Sequence, residues 1–136
     1  MSFLVHNGLV GRELEAVATG AGRRTLRDRY LAQAVEIVLA ERQACLPPVV
    51  LTEITSDPKL PAEVAALVKS LPLLSTDDSY WERAGRLRRR LLAKGRKARL
   101  ADTLIAQSCL DHHVSLVTGD ADFRQFAKAG GLKLLP

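Results

Sequence analysis

The stretch Leu100–Phe123, LADTLIAQSCLDHHVSLVTGDADF, decides the fold because it joins a helix, a buried strand and an acidic loop in one run. Apolar residues at helical spacing predict a helix from about Leu100 to His112, and VSLVT then predicts a strand. Asp120 and Asp122 follow that strand directly. A helix that leads into a buried strand after a short connection is typical of α/β proteins.

The rest of the chain repeats this alternation of short apolar strands and amphipathic helices. Besides VSLVT, strands are predicted at residues 2–5, 44–46, 71–75 and 132–135. Further helices are predicted at residues 8–18, 26–38, 49–54, 62–71, 79–94 and 122–129. Strands that alternate with helices predict an α/β fold with a central parallel sheet covered on both faces. Since no repeat or linker composition is present, we expect residues 1–136 to form a single domain.

The composition agrees with one ordinary α/β domain. The 136 residues are 47% hydrophobic but only 4% aromatic, so the core is mainly aliphatic, which suits helices packed on a sheet. No secretory signal and no apolar run of membrane-spanning length is evident, so we expect a soluble, cytoplasmic protein. Cys45 and Cys109 show no metal-binding spacing. We interpret them as buried hydrophobic residues in a reducing compartment, with a disulfide as the less favoured alternative.

Basic residues are concentrated between Trp81 and Arg99. This segment holds nine Lys or Arg residues and one Glu, a net charge of +8, against +5 for the whole chain. A local basic surface on an otherwise acidic body is typical of a protein that binds a polyanion. The alternative is a solvated helix face. The candidate RNA contacts in this segment are Arg88, Arg89, Arg90, Arg96 and Lys97. Trp81 begins an apolar stripe and is predicted to anchor the core.

Two acidic residues lie among apolar neighbours, where an unpaired charge is unfavourable. Asp102 shares a helical stripe with Ile105 and Cys109, and an ionised carboxylate facing a core costs several kcal/mol unless it is paired or bound to a cation. For Asp102 taken alone, a helix-capping role near the N-terminus is the favoured interpretation. Glu53, in VVLTEI, has the same kind of apolar surroundings just after a predicted strand.

The predicted topology brings these acids together. Ligands of open parallel sheets bind outside the carboxyl ends of the strands, which is where Glu53, Asp120 and Asp122 are predicted to lie, with Asp102 at the start of a helix nearby. Four converging carboxylates repel one another unless a cation neutralises them. Oxygen ligands without Cys or His suit Mg²⁺ or Mn²⁺. Such a metal beside a basic surface indicates a nuclease.

These residues carry a resemblance to a known family. The chain resembles PIN-domain proteins of the VapC-like toxin ribonuclease kind, through PPVVLTEI with Glu53, through the segment Trp81–Phe123 with Asp102, Asp120 and Asp122, and through the closing GLKLLP. The resemblance is most specific between Leu100 and Phe123 and weakest over the first 45 residues.

The resemblance implies a three-layer α/β/α fold and a metal-dependent endoribonuclease that cleaves RNA with an activated water. It implies that Glu53, Asp102 and Asp120 are the catalytic acids of a Mg²⁺ or Mn²⁺ site, with Asp122 as a ligand or as a partner of one. It further implies a toxin of a type II toxin–antitoxin pair, neutralised by a small antitoxin protein, and a homodimer.

The first predicted strand departs from the family pattern. Members typically carry an aspartate where this strand ends, whereas FLVHNGLV places His6 there. Glu13 and Glu15 lie one to two helical turns away. Neutral His binds Mn²⁺ but is a poorer ligand for Mg²⁺ than a carboxylate. The alternative hypothesis is therefore a catalytically weakened or inactive PIN-like module that binds RNA or a protein partner.

Overall fold

The computed structural model describes residues 2–5, 8–11, 45–118 and 120–135 of the chain. The strands are β1 (Ser2–Val5), β2 (Gly8–Gly11), β3 (Leu116–Thr118) and β4 (Leu134–Leu135). The helices are α1 (Pro48–Thr55), α2 (Ala62–Ser70), α3 (Tyr80–Ala93), α4 (Leu100–Asp111) and α5 (Arg124–Gly130), with a 3-10 turn at Ala121–Phe123. The predicted α/β class is confirmed.

The sheet differs from the predicted parallel arrangement. Its order is β2-β1-β3-β4, in which β3 and β4 are parallel, while β1 is antiparallel to both β2 and β3. A helix had been predicted over residues 8–18, but residues 8–11 form β2. The sequence explains this, because only two residues separate β1 from β2, and so short a connection joins only antiparallel strands. The described strands do not confirm a central parallel sheet.

Two further predicted strands are reduced to a single contact. Of these two segments, the structure describes residues 45, 46 and 71–75, and among these an isolated parallel bridge joins Leu46 to Leu73. Leu46 N donates to Pro72 O at 2.9 Å, and Leu74 N donates to Leu46 O at 2.7 Å. Since proline has no N–H to donate, the prolines at positions 47, 48 and 72 keep a longer ladder from forming here.

The helix boundaries follow signals that the sequence displays. Pro48 occupies the first turn of α1, and α2 begins after Pro61 and ends before Pro72, as predicted from the tolerance of proline at helix starts. The segment that follows α3 turns at Gly95, whose φ is +69°. That left-handed conformation is one that glycine adopts without strain.

Helix α4 lies at the centre of the hydrophobic core. Ile105, Ala106 and Cys109 are fully buried on it, and α4 contacts both α1 and α3. Both cysteines are buried and free, as predicted. Burial raises the pKa of the Cys45 thiol to about 11, which keeps it in the thiol form. The central position of α4 fixes its first turn, which carries Asp102, relative to the surrounding elements.

The prediction that Trp81 anchors the core is wrong. Trp81 is 61% exposed, and Tyr80 takes the buried position instead. Residues 80, 84, 87 and 91 keep one side of α3 facing the core, and residue 81 lies about 100° around the helix from that stripe. The Tyr80 hydroxyl donates to Leu104 O at 2.6 Å, which ties α3 to α4. None of the described helices has the length and hydrophobicity needed to cross a membrane.

Candidate metal centre

Three aspartates converge where α4 begins and β3 ends. Asp102 lies in the first turn of α4, Asp120 follows β3, and Asp122 belongs to the 3-10 turn. One carboxylate oxygen from each of the three lies within 4.8 Å of the other two. Among the described residues, these three form the acidic group that is compact enough to hold a metal ion.

A local hydrogen-bond pattern holds the two aspartates after β3. The Asp122 backbone N–H donates to Asp120 Oδ1 at 2.9 Å, so Asp120 caps the 3-10 turn. The Asp120 backbone N–H donates to Thr118 Oγ1 at 3.0 Å. These bonds keep both carboxylates on one short turn, and the buried ring of Phe123 anchors the end of that turn in the core. The spacing Asp-Ala-Asp-Phe therefore orders an acidic loop.

Of the three aspartates, Asp102 has a buried carboxylate oxygen without a hydrogen-bond partner among the described residues. This atom is Oδ1, and the side chain is 2% exposed. Burial raises the pKa of its carboxyl to about 6, and Asp120 and Asp122 add to this rise. Arg99 and Lys97 act in the opposite direction without cancelling it. A buried carboxylate beside two others is unfavourable without a bound cation.

Glu53 lies near this group without belonging to its compact set. It is half-buried on α1, which packs against α4, and its Oε2 also has no partner among the described residues. Burial, followed by the charge of Asp102, raises the pKa of Glu53 above its ordinary value. The donor set is therefore three clustered carboxylates and a fourth nearby. Orphaned carboxylate oxygens of this kind fit Mg²⁺ or Mn²⁺.

The five predicted RNA contacts divide into two groups. Arg88 Nε donates to Ala98 O at 2.8 Å, and Arg96 Nη1 donates to Gln125 Oε1 at 2.9 Å, so both bond to other parts of the protein. Arg89 and Arg90 are exposed on α3. Lys97 is exposed as well, and its Nζ lies 3.1 Å from Asp122 Oδ2.

The sequence reading missed an ion-pair network at the other end of α4. Arg83 Nε donates to Asp111 Oδ1 at 3.1 Å, and Arg83 Nη2 donates to Asp111 Oδ2 at 2.7 Å. Gln107 Nε2 donates to the same Asp111 Oδ1 at 2.8 Å. The spacing of Gln107 and Asp111, four residues apart on a helix, is a signal that could have indicated their contact. Nothing in the sequence pairs Arg83 with Asp111, because 28 residues separate them.

The remaining predicted site position is His6, which lies outside the described residues, as do Glu13 and Glu15. The neighbouring strand β1 is described, and its last residue, Val5, pairs with Leu116 at the start of β3. The proposed role of His6 therefore stays a prediction.

A model of one known protein family matches most of the chain. The sequence profile of the PIN domain matches residues 19–129, a range that includes all four candidate acids and begins after His6. No curated protein sequence matches the chain. PIN domains are generally nucleases that use divalent metal ions. Because the match covers well over half of its length, the chain belongs to the PIN domain family.

Proposed function

We propose that this protein is a Mg²⁺- or Mn²⁺-dependent endoribonuclease that hydrolyses RNA phosphodiester bonds. The observation that carries the proposal is the buried Oδ1 of Asp102, which has no partner among the described residues and belongs to a carboxylate that clusters with Asp120 and Asp122. A protein gains nothing in stability from such an atom. Its presence is explained if the functional protein binds a cation between these carboxylates.

In this proposal Asp102, Asp120 and Asp122 hold the cation, and Glu53 acts as a further ligand or orients one. A divalent cation bound there would polarise a phosphodiester and lower the pKa of a water. The chain's own residues fix the geometry, because α4 holds Asp102 in the core and the capped turn holds Asp120 and Asp122. We propose that residues 1–136 form one domain with the three-layer α/β/α arrangement that the family implies.

The basic segment supports RNA as the polymer. Arg89, Arg90 and Lys97 are exposed, and we propose that they lie along a phosphate backbone, which binds basic side chains without regard to sequence. Arg88 and Arg96 contribute indirectly, since they bond to Ala98 and Gln125 and so order the segment that carries Lys97.

The resemblance to VapC-like proteins supports a biological role for the nuclease. We propose that it is the toxin of a type II toxin–antitoxin pair that acts in the cytoplasm, forms a homodimer and is neutralised by a small antitoxin protein. Co-expression tests this role: growth arrest by the chain alone, relieved by a partner encoded beside it, supports the toxin assignment, and absence of arrest by an active nuclease contradicts it.

The second candidate function is an inactive or weakened PIN-like module that binds RNA or a protein partner. The observation that favours it is the sequence itself, which has His6 after the first strand where family members typically carry an aspartate. One fewer carboxylate leaves a weaker site for Mg²⁺.

One experiment separates these candidates. Pooled tRNA and rRNA are incubated with Mn²⁺ or Mg²⁺ and with the unaltered chain, Asp102→Ala or His6→Asp. Cleavage by the unaltered chain that is lost in Asp102→Ala supports the nuclease. Cleavage by His6→Asp alone supports the weakened module. Cleavage that survives Asp102→Ala contradicts the assigned metal centre.

A further inference from the structure

Lys97 lies at the edge of the acidic cluster, in the connection between α3 and α4. Its ammonium Nζ is 3.1 Å from Asp122 Oδ2, and its side chain is 53% exposed. The same ammonium acts on Asp102, whose charge it favours. Lys97 is therefore a cation that both touches the candidate metal centre and remains accessible to a large polymer.

The position of Lys97 does not depend on its own ion pair. Arg88 Nε holds the carbonyl of Ala98 from α3, and the Ala98 side chain is buried. On the other side, Arg96 is held through its backbone N–H, which donates to Leu91 O at 2.9 Å, and through its bond to Gln125. Because both neighbours of Lys97 are fixed by other contacts, its side chain starts from a backbone that remains in place when Asp122 takes another partner.

A metal ion and Lys97 compete for the same carboxylate. A cation bound by the cluster approaches Asp122, and like charges at such short distances repel each other. An ammonium on a long flexible stem moves readily, and in doing so it becomes free to meet an anion. The nearest anion in a nuclease complex is the phosphodiester drawn to the metal. Phosphate is a ligand that lysine binds well as a point charge.

We propose that Lys97 is a positioning residue with two successive partners: it pairs with Asp122 before the metal binds, and it binds the RNA phosphate at the metal centre afterwards. This inference rests on the proposed nuclease function and names a residue that couples metal binding to substrate binding. It requires that loss of the Lys97 charge has opposite effects on the two ligands. Metal binding becomes tighter, and RNA binding becomes weaker.

The metal arm of the test is calorimetric titration of Mn²⁺ into the metal-free protein. We expect Lys97→Ala and Lys97→Gln to bind Mn²⁺ about fivefold more tightly than the unaltered chain, because a neighbouring positive charge has been removed. Lys97→Arg, which keeps the charge, should bind as the unaltered chain does. Lys69→Ala is the matched control, since it removes an exposed lysine charge from α2, which carries no acid of the cluster.

The RNA arm measures cleavage at saturating Mn²⁺ over a range of salt concentrations. We expect Lys97→Ala to raise KM for RNA and to lower the slope of log KM against log salt by about 1, as loss of one phosphate contact does. Lys97→Arg should restore most of the effect, and Lys69→Ala should leave both quantities unchanged.

The outcomes separate this inference from the proposed function. Weaker or unchanged Mn²⁺ binding in both Lys97→Ala and Lys97→Gln overturns the competition for Asp122, whether or not the protein cleaves RNA. An unchanged KM and salt slope in Lys97→Ala overturns the phosphate contact. If the unaltered chain binds Mn²⁺ but does not cleave RNA, the nuclease proposal fails while the metal arm still decides the competition.

Discussion

Helix α4 carries one aspartate near each end, and the two are treated in opposite ways. Asp111, in the last turn, accepts hydrogen bonds from Arg83 and Gln107. Asp102, in the first turn, is more deeply buried and has an Oδ1 without a partner among the described residues. The helix dipole does not explain this difference. It stabilises an acid at the amino end of a helix, where Asp102 lies, and destabilises one at the carboxyl end, where Asp111 lies.

This difference is the one we expect between an acid that supports the fold and an acid that binds a metal ion. At the carboxyl end of α4, Asp111 is paired with the guanidinium of Arg83 and the amide of Gln107. It therefore ties α3 to α4. At the amino end of α4, the carboxylates of Asp120 and Asp122 lie beside Asp102. Its Oδ1 has no hydrogen-bond partner among the described residues. Buried carboxylates that repel one another, with no positive partner that cancels the repulsion, are typical of functional sites. Substituting each acid in turn tests this difference.

The largest effect is expected from Asp102→Ala. If Asp102 is a metal ligand, as we propose, its removal should reduce divalent-metal-dependent RNA cleavage by more than about 100-fold, since losing even a residue that supports a ligand costs about 10- to 100-fold. Initial cleavage rates measured over a range of Mn²⁺ concentrations test this. Asp111→Ala serves as the control, and a similar loss of cleavage in both variants would mean that α4 as a whole, rather than its first turn, is sensitive.

The second prediction concerns the stability of the metal-free protein. The pKa of Asp102 rises from 3.8 to about 6 on folding, so the folded state binds the proton more tightly than the unfolded state does. Its ionisation therefore destabilises the fold fully above about pH 6, and this penalty disappears as the pH falls toward 3.8. Asp102→Asn should raise the free energy of unfolding near neutral pH by at most about 3 kcal/mol.

Denaturant unfolding in excess chelator, at neutral and at acidic pH, measures this gain. It should shrink as the pH is lowered and should be absent in Asp111→Asn, which loses a charge that is already paired. A metal-free Asp102→Asn protein that is less stable than the unaltered chain at neutral pH would show that Asp102 supports the fold.

Glu53→Gln is expected to have an intermediate effect. Glu53 lies beside the compact cluster, and the charge of Asp102 contributes to its raised pKa, so the amide should weaken Mn²⁺ binding by about 10- to 100-fold. Thermal shift at increasing Mn²⁺ concentrations measures this, with Glu63→Gln on the exposed face of α2 as the control. Unchanged metal-linked stabilisation in Glu53→Gln would remove this residue from the site.

The smallest effect is expected from Asp111→Ala, and it lies in stability alone. The substitution removes the acceptor for the bonds from Arg83 and Gln107, which should lower the free energy of unfolding by about 1–2 kcal/mol. Chemical denaturation measures the loss, while Mn²⁺ affinity should stay that of the unaltered chain. A clear fall in Mn²⁺ affinity would mean that the two ends of α4 are not independent.

The sequence alone predicted the parts of this molecule that depend on local pattern. The apolar stripe around Asp102 predicted a buried acid. The position of Asp120 and Asp122 after a strand predicted that they lie close to Asp102. Proline positions predicted where α1 and α2 begin. Each of these features is set by residues close to one another in the chain.

Features that depend on how distant segments pack were missed. The buried stripe of α3 was predicted correctly at residues 84, 87 and 91 but not at its first position. Both Tyr80 and Trp81 fit an apolar stripe there, and only tertiary packing chooses between them. The Arg83–Asp111 pair requires the relative position of α3 and α4. The direction of β1 against β3 likewise follows from strand pairing, which no local pattern encodes.

We propose that the carboxylates of Asp102, Asp120 and Asp122 hold a divalent cation, and calorimetric titration of Mn²⁺ into the chelator-treated protein measures this binding. Saturable Mn²⁺ binding is expected for the unaltered chain and for Asp111→Ala, and Asp102→Ala should lose it. Absence of saturable binding to the unaltered chain, or equal binding by Asp102→Ala, would contradict the proposal.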